Sequence, residues 1–438
     1  MTTGAYRQRP EFYSFQEMRE EQELCLRSHL NYVAAYSPYY QALFRTEGID
    51  PNRITLDSLS GIPCTDKVTL GLQSDSFLAV PRSHIVDIVL SSGTTGRATT
   101  IMYTENDLLR LARNEAIALV RCGMTADDVV LLTCTLDRCF IAGLAYFSGV
   151  RKIGAAAIRN GLGSLSSHLE LIRRLRPTVV VGVPSFLVKL GRFLLHEGID
   201  PVMNSVTRII AIGEPIRDCS LGLLPLGEEL ERLWSARLFS TYASSETTTS
   251  FCECIAQQGG HLPPELAVVE IVDDRGESLP SGATGEVVVT PLGIQGMPLV
   301  RFRTGDISFL DDTPCACGSN SPRLGPILGR KKQLLKVKGT TLYANAINAV
   351  MDTIPDVIDY YLVAESPDEL SDRVTVYAAV GGGASCAESI METLQARLRV
   401  RPLVVIVAAA ELRNKLFGGD SRKVNRFLDL RGKSISHG

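Results

Sequence analysis

The chain lacks the apolar run of ~18–20 residues that a membrane-spanning helix needs; stretches such as VVVGVPSFL and PLVVIVAAA are too short. Its opening, MTTGAYRQRPEFYSF, lacks the charged-then-apolar pattern of an export signal. It has no basic block: 45 Lys and Arg are interspersed with 48 Asp and Glu, for a net charge of −3. That balance gives no global pull toward nucleic acid or an anionic membrane. GxSxG, HExxH and the Walker pattern GxxxxGKS/T are absent. Their absence removes nucleophile-elbow hydrolases, HExxH metalloproteases and P-loop nucleotide hydrolases. Histidine is scarce, and His29, His84, His168, His196 and His437 stand at neither metal nor triad spacing. His84 and Asp87 read as structural or solvated groups. The eleven cysteines are an odd count in a long chain, which fits free or metal-bound thiols in a reducing compartment better than a disulfide scaffold. The expectation is a soluble, cytoplasmic protein with no nucleic-acid or membrane partner.

What is present is enough apolar sequence for a substantial core: 438 residues, 45% hydrophobic and 21% charged. That length suits two or three domains. Residues 13–46 carry helical spacing, with apolar positions at Phe15, Leu24, Leu30 and Val33. After Pro63 the pattern alternates. IVDIVL (85–90) reads as a strand and NDLLRLARNEAIALVRCG (106–123) as an amphipathic helix ending at Gly123. DDVVLLTC, TVVVGVP, VTRIIAIGEP and ARLFSTYASSE read as strands, with HLELIRRLRP and SFLVKLGRFLLHEG as helices between them. Such alternation predicts an α/β fold with a mostly parallel sheet. From Glu265 the runs AVVEIVDD, GEVVVTPL and LVRFRTGDISFLDD predict a smaller β subdomain. PILGRKKQ (326–333) reads as a linker into a small α+β domain. The division expected is 1–330 and 331–438.

LSSGTTGRATTIMYT (90–104) crowds small hydroxyl residues and glycine around Arg97. Small residues let backbone N–H groups approach a polyanion, hydroxyls add neutral donors, and Arg97 adds a charge-assisted contact. Taken alone, these residues suit a phosphate cradle or a solvated turn. SSGTTGRAT resembles the phosphate-binding signature of adenylate-forming enzymes, the superfamily of acyl-CoA synthetases, luciferases and peptide-synthetase adenylation domains. Further segments resemble that superfamily in order: IGEP (212–215), TYASSE (241–246), RFRTGD (301–306) and LGRKKQLLKVKG (328–339). Within it, RPTVVVGVPSFL, VRFRTGD, the CACG element and PRLGPILGR look like the phenylacetate–CoA ligase branch.

The resemblance implies a large N-terminal adenylate-forming domain and a small mobile C-terminal one. It also implies an aromatic carboxylic acid as substrate, ATP and coenzyme A as partners, and Mg²⁺. Ser91, Ser92, Gly93, Thr94, Thr95, Gly96 and Arg97 would hold the β- and γ-phosphates, with Arg97 where the family usually has Lys. Gly213, Glu214 and Pro215 would wall the adenine beside Tyr242, Ala243, Ser244 and Ser245. Glu246 would hold Mg²⁺, and Asp306 would accept the ribose hydroxyls. Aligning NKLFGGDSRKVNRFLDLR (414–431) with the family's last motif puts Lys423 at the catalytic lysine, with Arg422 in place of a glycine and Lys415 as a weaker candidate. Such a lysine would offset charge between the carboxylate and the α-phosphate. At the hinge, Arg330 is kept and Lys332 stands where Asp is common; Lys336 and Gly339 would face the site after domain rotation.

CECIAQQGGH and CACG bring Cys254, His261, Cys315 and Cys317, a donor set that suits a closed tetrahedral Zn²⁺ site of structural role. Cys252 is then the spare thiol. Pocket stretches CFIAGLAYF (139–147), VGVPSF and TYAS offer Phe140, Tyr146, Phe186 and Ala243 to a phenylacetate-, anthranilate- or benzoate-like acid. Three readings stand: an aryl-CoA ligase, an enzyme loading a carrier-protein or protein thiol, and a non-catalytic ligase-derived nucleotide-binding protein. A homodimer is left open.

Overall fold

The computed structural model describes residues 14–91, 99–337, 340–354, 356–366, 371–382, 386–412 and 426–431. Ser92, Gly93, Thr94, Thr95, Gly96, Arg97, Gly339, Lys415, Arg422 and Lys423 lie outside the described residues. The chain forms two compact units, Met1–Leu223 with Gly227–Ile327 and Leu224–Leu226 with Leu328–Gly438. No helix among the described residues is long and apolar enough to cross a membrane.

The single helix expected over 13–46 is instead two, α1 (Phe15–Tyr36) and α2 (Pro38–Glu47). Pro38 has no N–H and disfavours helical backbone before it, so Ser37 is extended at φ −91 and ψ 113. The same proline then serves as the first residue of the next helix. Ser14 and Glu17 close a capping box at the start of α1. Its buried positions are Met18, Leu26, His29, Leu30 and Val33. Phe15 and Leu24, expected inward, are 58% and 61% exposed.

The next elements are β1 (Ile85–Ser91), β2 (Thr99–Thr104), α3 (Glu105–Arg121), β3 (Val129–Leu132), α4 (Ile141–Ile153) and β4 (Ala156–Arg159). They are followed by α5 (Leu165–Leu175), β5 (Val179–Gly182), α6 (Pro184–His196), β6 (Arg208–Ile212), β7 (Arg237–Ser244) and β8 (Thr249–Cys252). β1 and β2 pair antiparallel. The central sheet runs β4-β3-β5-β6-β7-β8, parallel throughout except for the last pair. The order reverses at β3, so the carboxyl ends of the strands beside it form the crevice where α/β sheets bind ligands.

Two glycines are sterically required at that crevice. A Cβ on Gly182 would run into the Thr133 hydroxyl, and one on Gly143 into the Thr135 carbonyl. The loop after β3 is therefore pressed directly onto α4. Trp234 is fully buried, and its indole N–H donates to the Leu187 carbonyl at 3.0 Å beneath α6.

The smaller sheet of the first unit is ordered Thr65–Asp66, β11 (Phe302–Ser308), β10 (Gly285–Pro291), β9 (Ala267–Val272). The second unit packs helices Ala344–Met351 and Ala387–Leu398 on a sheet ordered Leu403–Ile406, Arg373–Val380, Val357–Glu365, Phe427–Asp429. Ile347, Met351, Leu362, Val376, Ile390 and Leu394 form its core.

Candidate active site

Four of the expected positions gather where β1, β7 and β11 end. Ser91 closes β1 and is buried. Glu246 lies in the tight turn joining β7 to β8 and is also buried. Lys67, the first residue of the short helix Lys67–Leu72, reaches Glu246 Oε1 at 2.8 Å. Burial works against ionisation of Glu246. The Lys67 ammonium outweighs it, and the carboxyl is held below its ordinary value. The turn is pinned by Tyr103, whose hydroxyl donates to the Ser245 carbonyl at 2.7 Å. Ser244 Oγ accepts from the Thr247 N–H at 3.2 Å, and Ala243 is exposed.

Tyr242 donates its hydroxyl to Asp306 Oδ2 at 2.8 Å. Its ring lies 6.3 Å from Phe251, stacked at 25°. Burial, then the Asp306 charge, pushes this phenol well above its ordinary value. The strand that carries Asp306 is anchored by Arg301, which grips Glu270 through two contacts of 3.0 Å and donates to the Ile62 carbonyl at 2.7 Å. This is a bidentate pair in a buried setting, so it fixes direction as well as position.

Gly213 follows β6 at φ 79, a backbone state natural to glycine, and turns the chain into Glu214 and Pro215. Glu214 accepts from the Ser185 N–H at 2.8 Å and the Ser185 hydroxyl at 2.9 Å. It thereby caps the first turn of α6 and ties the 213–215 turn to the helix that carries Phe186. Phe186 is half-buried, edge-on to the His168 ring at 5.4 Å. Phe140 is half-buried ahead of α4. Tyr146 is buried inside the core cluster with Val150, Val181 and Phe239. Arg330 and Lys336 belong to the second unit, and both are exposed there.

Cys254, His261, Cys315 and Cys317 come together, with their donor atoms all within 4.8 Å of one another. Cys254 and Cys315 are 3.6 Å apart, as are Cys317 and His261 Nε2. A tetrahedron with ~2.3 Å metal–sulfur bonds has edges of about 3.7 Å, so the donor set fits zinc. His261 Nδ1 lies 3.0 Å from Ser321 Oγ, which orients the ring and leaves Nε2 to the thiols. Burial lowers His261 to about 3, keeping the imidazole neutral as a ligand must be, and raises Cys254 to about 12. Cys252 stays outside this set, as expected: its sulfur lies 3.4 Å from that of Cys122 and accepts the Thr241 hydroxyl at 2.8 Å.

Lys67 and Tyr103 were absent from the sequence-based candidates. Both lie far along the chain from the turn they hold; Lys67 sits in no motif, and Tyr103 falls in the 90–104 stretch but after the small hydroxyl and glycine residues that suggest a phosphate cradle.

The profile of the AMP-binding enzyme family matches residues 49–294. The phenylacetate-coenzyme A ligase of Thermus thermophilus is 30% identical over 354 residues, 80% of this chain and 78% of that protein. The phenylacetate-coenzyme A ligase of Pseudomonas putida is 29% identical over 363 residues, 80% of this chain and 78% of that one. The crystal structure of 2-hydroxyisobutyryl-CoA ligase in the postadenylation state, in complex with 2-HIB-AMP, has the same fold. Its TM-score is 0.83 at 18% identity, over 96% of this chain and 91% of that one. The anthranilate CoA ligase AuaEII in complex with anthranoyl-AMP aligns with a TM-score of 0.57 at 18% identity, over 75% of this chain and 64% of that one. With the family profile spanning more than half of its length, the chain belongs to the AMP-binding enzyme family.

Proposed function

We propose that the chain is an ATP-dependent aryl-CoA ligase. An aromatic carboxylate attacks the α-phosphorus of ATP, pyrophosphate leaves, and the aryl adenylate passes its acyl group to the coenzyme A thiol with release of AMP. Little covalent chemistry falls to the protein, so positioning and charge stabilisation carry the rate. The observation that supports this most is the meeting of Tyr242 with Asp306, at 2.8 Å, in the same strand-end cluster as Ser91 and Glu246. In this reading Tyr242 and the 213–215 turn flank the base and Asp306 takes the ribose hydroxyls. Ser91 opens the phosphate loop, and Lys423 offsets charge at the reacting carboxylate. An ionised, buried Glu246 suits Mg²⁺, which would supply charge to the phosphate oxygens. The zinc set near β8 is structural. The division of labour is 1–330 for adenylation and 331–438 for the small lysine-bearing domain. The free thiols support a reducing, cytoplasmic setting.

The test is incubation of the protein with ATP, Mg²⁺, free coenzyme A and a panel of aromatic acids. AMP and a coenzyme A thioester should both appear. AMP without the thioester would move the acceptor to a carrier-protein or protein thiol. Silence across a broad panel would leave a nucleotide-binding protein without ligase activity.

A further inference from the structure

Beyond the residues already discussed, a cavity of about 350 Å³ opens at the carboxyl ends of β3 and β4. Arg138, Arg159, Asp137, Thr135, Asn160 and Gly161 line it. Arg138 and Cys139 both stand in the left-handed region, at φ 60 and 51, where residues other than glycine are rare. Arg159 is held with its guanidinium 4.9 Å above the Phe147 ring, which limits its freedom before any ligand arrives. The lining thus holds two arginines and one carboxylate. That carboxylate, Asp137, accepts the Thr135 hydroxyl. The local balance is positive in a chain whose net charge is −3.

The cavity has neighbours on both sides that matter. The Leu90 N–H donates to the Cys139 carbonyl at 3.0 Å, so the strained turn is tied to the residue before Ser91, where the phosphate loop begins. On the other side Asn160 Nδ2 lies 2.8 Å from His168 Nδ1, His168 packs on Phe186, and Ser185 is held by Glu214 of the 213–215 turn. In the ligase reading the acid binds near Ser91 and the 213–215 turn, and these contacts link both to the cavity.

We propose that this cavity is a subsite for a second anionic group on the acid. The preferred substrate is then an aromatic acid bearing a carboxylate, or a group of like charge, besides the one that is activated. The proposal rests on the ligase reading and narrows its substrate class. The planar fork of an arginine matches a carboxylate better than an apolar ring does.

Pyrophosphate exchange without coenzyme A tests it, with phenylacetate and 4-carboxyphenylacetate as probes. The diacid should exceed the monoacid by about tenfold or more in kcat/KM. Arg159→Gln and Arg138→Gly should each cost the diacid roughly tenfold and leave phenylacetate within about twofold. Arg138→Gly suits the left-handed backbone, so unfolding would not explain its loss. Exchange with phenylacetate that equals or exceeds the diacid, unmoved by either substitution, overturns the subsite and leaves the ligase standing. A rise in the KM for coenzyme A in the full reaction, with exchange unchanged, assigns the arginines to the thiol substrate's phosphates and also overturns it. No exchange with any acid removes the ligase reading and the subsite together.

Discussion

Glu115 is a carboxyl in a place that disfavours charge. It is buried on α3, and burial raises it from 4.5 to about 7 despite hydrogen bonds from Ser250 and Asn114. The folded chain therefore keeps this proton up to about pH 7, while the unfolded chain gives it up near 4.5. Between those values unfolding releases a proton, so stability falls as pH rises, by up to roughly 3 kcal/mol. Glu115→Gln should remove that slope. Urea unfolding should find the variant close to the parent below pH 5 and more stable than it at pH 8. Lys67 acts in the opposite sense on Glu246. Lys67→Met leaves the buried carboxylate without its neighbouring ammonium, so the Glu246 pKa should rise. The acid limb of kcat/KM for AMP release should then move to higher pH, a shift that simple loss of stability would not produce.

Among the elements, the Cys/His set joins two segments beside the point where Gly260–His261 pairs antiparallel with Arg323–Leu324. One runs from the end of β8 through Cys254 to His261, and the other from Cys315 to Ser321. Cys254→Ser should abolish one equivalent of tightly bound zinc, read by elemental analysis, and lower Tm by several degrees, about 2–4 °C per kcal/mol lost. Cys252→Ser should keep the zinc, because that thiol is turned to Cys122. The elements themselves were largely legible. Runs such as TVVVGVP and GEVVVTPL hold buried strands, and the α3 pattern ran into a glycine at φ 81 as its spacing implied. The break at Ser37 was missed because spacing on both sides of Pro38 stays helical, and only the missing N–H separates the two pieces. Lys67–Glu246, Cys122–Cys252 and the meeting of Arg138 and Arg159 at one cavity were not legible. Each joins groups that only the folded sheet brings together, and no local pattern announces them.

At the scale of the whole molecule, the ligase reading gives each unit a part in the chemistry. Lys423→Ala should reduce pyrophosphate exchange by about 10² or more while leaving ATP binding nearly unchanged. An unaltered exchange rate would remove Lys423 from the reaction. The chain also carries its own gauge of how these units fail. Its single tryptophan, Trp234, belongs to the larger unit and is clamped under α6. Indole emission on heating or in urea is thus deaf to the smaller unit, whereas far-ultraviolet dichroism hears both. A midpoint shared by the two signals marks one cooperative melt; a dichroism loss that precedes the spectral red shift marks the lysine-bearing unit coming apart first.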